Sequence, residues 1–137
     1  MRKSRWVVGV LLVVVSLVPM ATSAATALGG TKWQVMVTPD AAAKKAGEKA
    51  SKDTLIFKNG QMTSTACVKY GFSATPYTAT ASGQGASFQT TQLSKKEGTM
   101  TWSGQAMGNT INGTAMWTKK NGEMLHYQFS GQKTSKS

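Results

Sequence analysis

Three alternating runs in the second half of the chain, TMTWSGQAM, TINGTAMWTK and EMLHYQFSGQ, are separated only by Gly108-Asn109 and by a short step containing Asn121-Gly122. No other feature limits the fold as tightly. Residues at period two point to alternate faces of an extended strand, and Gly-Asn and Asn-Gly steps supply the positive φ that two-residue hairpin turns demand. The segment is therefore expected to be three consecutive antiparallel strands. Pairing Met107 with Thr110 sets Trp102 opposite Ala115, Met100 opposite Trp117 and Gly104 opposite Gly113. A two-residue turn at Asn121-Gly122 then sets Trp117 opposite His126. In that register Trp102, Trp117, His126, Met100 and Met124 share one face, beside Gly104, Ala106, Gly113 and Ala115. Large beside small is what a tapering barrel interior requires. The other face carries Thr101, Ser103, Gln105, Asn112 and Thr114, which suit water. It also carries Leu125, Tyr127 and Phe129, which do not, so the facing of the last strand is less well determined.

The rest of the chain repeats this grammar. Residues 31–38 place Trp33, Val35 and Val37 on one face. DTLIF and MTSTACV flank Asn59-Gly60, and pairing Lys58 with Gln61 aligns Leu55, Phe57, Met62, Ser64 and Ala66. PYTATAS and SFQTTQLS form a fourth and fifth run around Gly83 and Gly85, and Lys95-Lys96-Glu97-Gly98 turns into the sixth. Between the first two runs, PDAAAKKAGEKASK has the Ala/Lys/Glu content of a helical turn, interrupted by Gly47. No sustained helical periodicity and no repeat of roughly 20–50 residues is present. The expected fold is all-β: an eight-stranded antiparallel up-and-down β-barrel. A flattened two-sheet sandwich is the alternative.

Ahead of the strands stand Met1-Arg2-Lys3-Ser4-Arg5, the apolar run WVVGVLLVVVSLVPM and the small residues ATSAATA. That is the pattern of a signal peptide, with cleavage after Ala24, Ala25 or Ala27. The apolar run is shorter than the ~20 residues needed to span a bilayer, and it contains Pro19, so no membrane span is expected in the mature form. The predicted organisation is a signal peptide over 1–24 (cleavage as late as 27), one barrel domain over 28–133 and a disordered tail over 134–137. The expected location is periplasmic or secreted.

Without Arg2, Lys3 and Arg5, the 16 basic residues fall to thirteen, all lysine, against five acids, leaving a charge of about +8. The lysines cluster in expected loops and strand ends, where they keep a surface soluble and protect sheet edges. They also favour an anionic cell-envelope component or an acidic protein as partner. Nucleic acid is disfavoured, because the mature chain lacks arginine, the usual bidentate reader of phosphates and guanines.

The five acids, Asp40, Glu48, Asp53, Glu97 and Glu123, fall in expected loops or at strand ends, and no two are placed as a general acid and base. Cys67 is the single cysteine, so no internal disulfide forms. With His126 the single histidine and no oxyanion motif, a cysteine protease is not supported. A metal would have to use His126, Cys67 and methionines such as Met100 and Met124. That set is soft enough for Cu(I), but methionine more commonly fills cores. No phosphate loop or nucleophile elbow is present. No catalytic residue, metal or cofactor is assigned, and enzymatic activity is not expected.

Gly30-Thr31-Lys32-Trp33 opening the first strand, the long first loop and the meander resemble the calycin group, which includes lipocalins and avidins. The resemblance implies that Trp33 plugs the closed end of the barrel, although two residues separate it from Gly30, and that residues 39–52 lie over the mouth. TWSGQAMG followed by IN and Trp117 resembles the sixth and seventh strands of the avidin–streptavidin family. There the equivalent tryptophans line the biotin pocket, a role the resemblance would give Trp102 and Trp117. Elsewhere the chain departs from that pattern: Ala66 stands near the position of a pocket tyrosine, SFQTTQLS lacks a tryptophan, and the eighth run offers no aspartate. Without those polar anchors biotin binding is not expected. The chain as a whole is similar to small exported bacterial proteins with lipocalin-like barrels. The expected function is a non-enzymatic binding protein holding a small apolar or aromatic ligand. The candidate liners are Trp33, Phe57, Tyr77, Phe88, Trp102 and Trp117, with His126 as polar anchor. The alternative is a secreted interaction or inhibitor protein with a filled barrel, acting through its lysine-rich loops.

Overall fold

The protein is described by a computed structural model over residues 27–134. The expected signal peptide, its cleavage sites up to Ala25 and most of the expected tail lie outside the described residues. Thr134, assigned to that tail, donates its backbone N–H to Lys32 at 2.9 Å and so belongs to the sheet margin.

The strands are β1 (Thr31–Pro39), β2 (Ser51–Lys58), β3 (Gln61–Ser64), β4 (Thr75–Pro76), β5 (Thr78–Ser82), β6 (Gly85–Ser94), β7 (Gly98–Met107), β8 (Thr110–Thr118) and β9 (Met124–Lys133). Two short helices interrupt them, α1 (Ala41–Lys45) and α2 (Thr65–Val68). All pairs are antiparallel, and the nine strands form one sheet in the order β4-β3-β2-β1-β9-β8-β7-β6-β5. Its two edges, β4 and β5, are consecutive in the chain, so the sheet curls into a nearly closed up-and-down barrel. This architecture is compatible with a calycin-like fold.

The fourth expected strand is thus two. Thr75-Pro76 pairs with β3, and beyond Tyr77 the chain crosses the seam to pair with β6. A side chain bridges what the ladder leaves open: Thr90 Oγ1 donates to the Pro76 carbonyl at 2.8 Å, while Tyr77 N–H, donating to Gly60 at 3.3 Å, continues the β3–β4 pairing.

The inner face follows the period-two pattern. Trp33 and Val35 on β1, Leu55 and Phe57 on β2, Phe88 on β6, Trp102 on β7, and Ile111 and Ala115 on β8 are all buried. At the glycine pair opposite each other on β7 and β8, added Cβ atoms would each stand 2.7 Å from Phe129 Cζ. Gly104 and Gly113 therefore leave the space the Phe129 ring fills.

The eighth expected strand sits one residue out of the predicted register. Trp117 pairs with Leu125, and His126 pairs with Met116. Leu125, Tyr127 and Phe129 consequently face inward and are buried, while Met124 and His126 face solvent. The cause is the turn. Gly122 N–H donates to Lys119 O, and Lys119 N–H donates to Glu123 O, closing a loop of three residues rather than two. Gly122 takes φ +90° and Asn121 keeps negative φ, as in a type I turn followed by a left-handed residue. Asn59-Gly60, with φ of 53° and 73°, does form the two-residue turn.

Residues 65–68, expected to extend β3, coil into α2 instead. Asp53, expected near a strand end, is buried on the inner face of β2 and draws this segment inward. Its carboxylate accepts from Ala66 N–H at 2.9 Å, Thr65 Oγ1 at 3.2 Å, Thr54 N–H at 2.7 Å and the Ser64 hydroxyl.

A candidate ligand cavity at the open end of the barrel

The connections divide between two ends. The tight turns at Asn59-Gly60, Gly83-Gln84 and Gly108-Asn109 lie at one end. The segment from Asp40 to Ala50, the segment from Thr65 to Ala74 and the β6–β7 and β8–β9 turns lie at the other.

The tight-turn end is filled. Phe57 meets Tyr77 and Phe88 edge-to-face, each with ring centroids 5.0 Å apart, and Phe88 meets Phe129 at 6.3 Å. Trp33 and Leu28 are buried in the same core. Aromatic pairs of this geometry contribute roughly 0.5–1.5 kcal/mol beyond their buried area, so this end resists opening. Of the sequence-predicted liners, Trp33, Phe57, Phe88 and half-buried Tyr77 stand here, packed against one another or the surrounding core. The Trp33 indole donates to Thr31 Oγ1 at 2.9 Å, and Lys133 lies 5.3 Å from its ring centroid.

The loop end is hollow. A cavity of about 290 Å³ opens between the loops, with Trp102, Met100, Trp117, Ala115 and Tyr127 on its strand walls and Cys67 on α2 beside it. Trp102 joins the two regions: its ring packs edge-to-face on Phe129 at 5.4 Å, and it lines the cavity. Trp102 and Trp117 are thus the two predicted residues the cavity brings together. His126, the predicted polar anchor, is exposed on the outer face, because the β8–β9 turn holds three residues. The face expected to gather Met100, Met124 and His126 is accordingly not formed. Met100 lines the cavity, whereas Met124 is exposed.

Both indole N–H groups are already engaged. Trp102 Nε1 donates to Gln92 Oε1 at 3.0 Å, and the Gln92 amide donates to the carbonyls of Ser73 at 3.2 Å and Met62 at 3.4 Å. Trp117 Nε1 donates to the Glu97 carbonyl at 2.7 Å. The tryptophans therefore offer apolar ring surface to the cavity and no free donor.

Polar character comes from residues outside the seven expected liners. Asp40 caps α1 by accepting from Ala43 N–H at 2.8 Å. The turn that follows, with Gly47 at φ +95°, brings half-buried Glu48 to the cavity. Burial pushes the Tyr127 hydroxyl well above its ordinary range, reinforced by the Glu48 charge and a hydrogen bond between the two side chains. Burial likewise raises the Cys67 thiol, an effect partly offset by a hydrogen bond with Ser64 and increased by the Asp53 charge. A neutral, half-buried thiol is a poor nucleophile. Glu97 completes the acidic lining. Among the described residues no three His, Cys, Asp or Glu side chains form a metal-binding group, and no helix is long and apolar enough to cross a membrane.

Comparisons of the chain with family models, with curated proteins and with solved structures gave no match.

Proposed function

We propose that the protein is an exported, non-enzymatic binding protein whose barrel holds one small apolar or aromatic molecule between Trp102 and Trp117. The observation that carries this reading is the 290 Å³ cavity at the loop end. Small-molecule sites are concave, mainly apolar and roughly 300–1,000 Å³ in volume, with a few polar groups that orient the ligand. This cavity lies at the lower edge of that range. Its walls include two indoles whose N–H groups are satisfied elsewhere, so an apolar guest leaves neither indole donor unpaired. The alternative, an inhibitor with a filled barrel acting through lysine-rich loops, gives no reason for an open volume beside two tryptophans.

Native mass spectrometry of protein purified from its own host tests the proposal. The expected result is a complex that releases a small molecule on denaturation, with the complex lost in Trp117→Ala. Bare protein mass, together with Trp102→Ala and Trp117→Ala variants that change stability but no ligand response, would contradict it.

A further inference from the structure

The charge of the cavity runs against that of the chain. Thirteen lysines follow the N-terminal segment, yet three of the five acids, Glu48, Asp53 and Glu97, line this one cavity, with Lys49 as the single lysine among its lining residues. Asp53 is occupied by four protein donors. Glu48, which shares one hydrogen bond with Tyr127, and Glu97 have no such set of donors. Both are half-buried, and no lysine among the described residues reaches either carboxylate within 4 Å. The one ion pair among the described residues, Lys119–Glu123 at 3.5 Å, belongs to residues outside the lining. Lysines are abundant at this end of the barrel, on α1 and the two strand turns, yet none of those described pairs with these two carboxylates.

The walls favour the same sign of guest. Trp102, Trp117 and Tyr127 present aromatic rings, whose negative faces attract an organic cation. Lys119, which does not line the cavity, already stands 4.9 Å from the Trp117 ring centroid. Exposed lysines act on a bound ligand through solvent and are screened within about 8 Å at physiological salt, whereas lining carboxylates act at contact range.

We infer that the cavity selects a hydrophobic cation, with an aromatic or alkyl body against Trp102 and Met100 and an amine or quaternary ammonium directed to Glu48 and Glu97. This inference rests on the proposal that the cavity is a ligand site, and it names the ligand class.

Titrating the intrinsic tryptophan fluorescence with three probes of equal body tests it: phenylbutyltrimethylammonium, phenylbutanol and phenylbutyrate. The ammonium probe is expected to bind about tenfold more tightly than the alcohol, the size of a partly desolvated cation–π and charge contribution, and the carboxylate probe is expected to bind weakest. Glu48→Gln/Glu97→Gln should bring the ammonium probe down to the affinity that the same variant shows for the alcohol. The single variant Glu97→Gln, which touches no described hydrogen bond of the carboxylate, should lose about threefold for the ammonium probe alone. Equal or tighter binding of the alcohol or the carboxylate probe would overturn the inference while leaving the ligand site standing. Failure of the folded protein to bind any of the three would count against both.

Discussion

Replacing Gln92 by leucine keeps the volume of the side chain and removes three contacts at once: the acceptor of Trp102 Nε1 and the donors to Met62 and Ser73. Gln92 is fully buried, so the Trp102 N–H would lose its partner inside the barrel. A buried group left unsatisfied costs about 1–3 kcal/mol. Urea unfolding of Gln92→Leu is expected to show a loss in that range, with the Trp102 ring losing its fixed orientation. Alternation in SFQTTQLS already places Gln92 on the face of Phe88, Thr90 and Ser94, but nothing in the sequence says that a glutamine there would bridge the seam. Leu93, strongly exposed on the opposite face, points the apolar pattern the wrong way. Cys67 and Tyr127 make a pH prediction at the same scale. Both hold their protons in the native state above their ordinary values of 9.0 and 10.0. The unfolded chain releases them near those values, so the stability they contribute is complete below about pH 9 and declines as pH rises further. Urea midpoints measured from pH 8 to 11 should fall more steeply for the native sequence than for Tyr127→Phe or Cys67→Ala.

At the scale of elements, the β7–β8 and β2–β3 hairpins were legible residue by residue, because Gly108-Asn109 and Asn59-Gly60 each close a two-residue loop and the strands follow from that register. The β8–β9 hairpin was not. Asn121-Gly122 reads the same in sequence, but Lys120 joins the loop and only Gly122 takes positive φ. One added residue moves every side chain of β9 to the other face, which is why Leu125, Tyr127 and Phe129 turn inward and His126 does not. Two changes test this. Gly122→Ala forces a β-carbon onto φ +90° and should cost about 1 kcal/mol by thermal unfolding. Deleting Lys120 leaves Asn121-Gly122 as a two-residue loop between Lys119 and Glu123, so the register survives. Hydrogen exchange should then protect the same β9 amides as in the intact chain. The coiling of α2 was also hidden in the sequence, since the carboxylate that holds Ala66 lies thirteen residues earlier, on β2. Contacts of that kind depend on the sheet having formed.

At the scale of the molecule, alternating runs and tight turns announced an antiparallel up-and-down barrel, and the structure is one. The expected eight strands become nine where the chain steps across the seam at Tyr77. Placing seven candidate liners was harder, because period two tells which residues face inward but not how far along the barrel axis they sit. Depth separates Trp33, Phe57 and Phe88, in the packed end, from Trp102 and Trp117 at the cavity. It also brings Glu48 and Glu97, both from loops, to the mouth. The central claim is that this volume receives a ligand. Ala115 is buried on the cavity wall opposite Trp102, so Ala115→Leu fills the space without removing either tryptophan. Calorimetric titration with phenylbutanol is the direct measurement. The account predicts one-to-one binding by the native protein and loss of that binding in Ala115→Leu, at undiminished thermal stability; equal binding by both would contradict it.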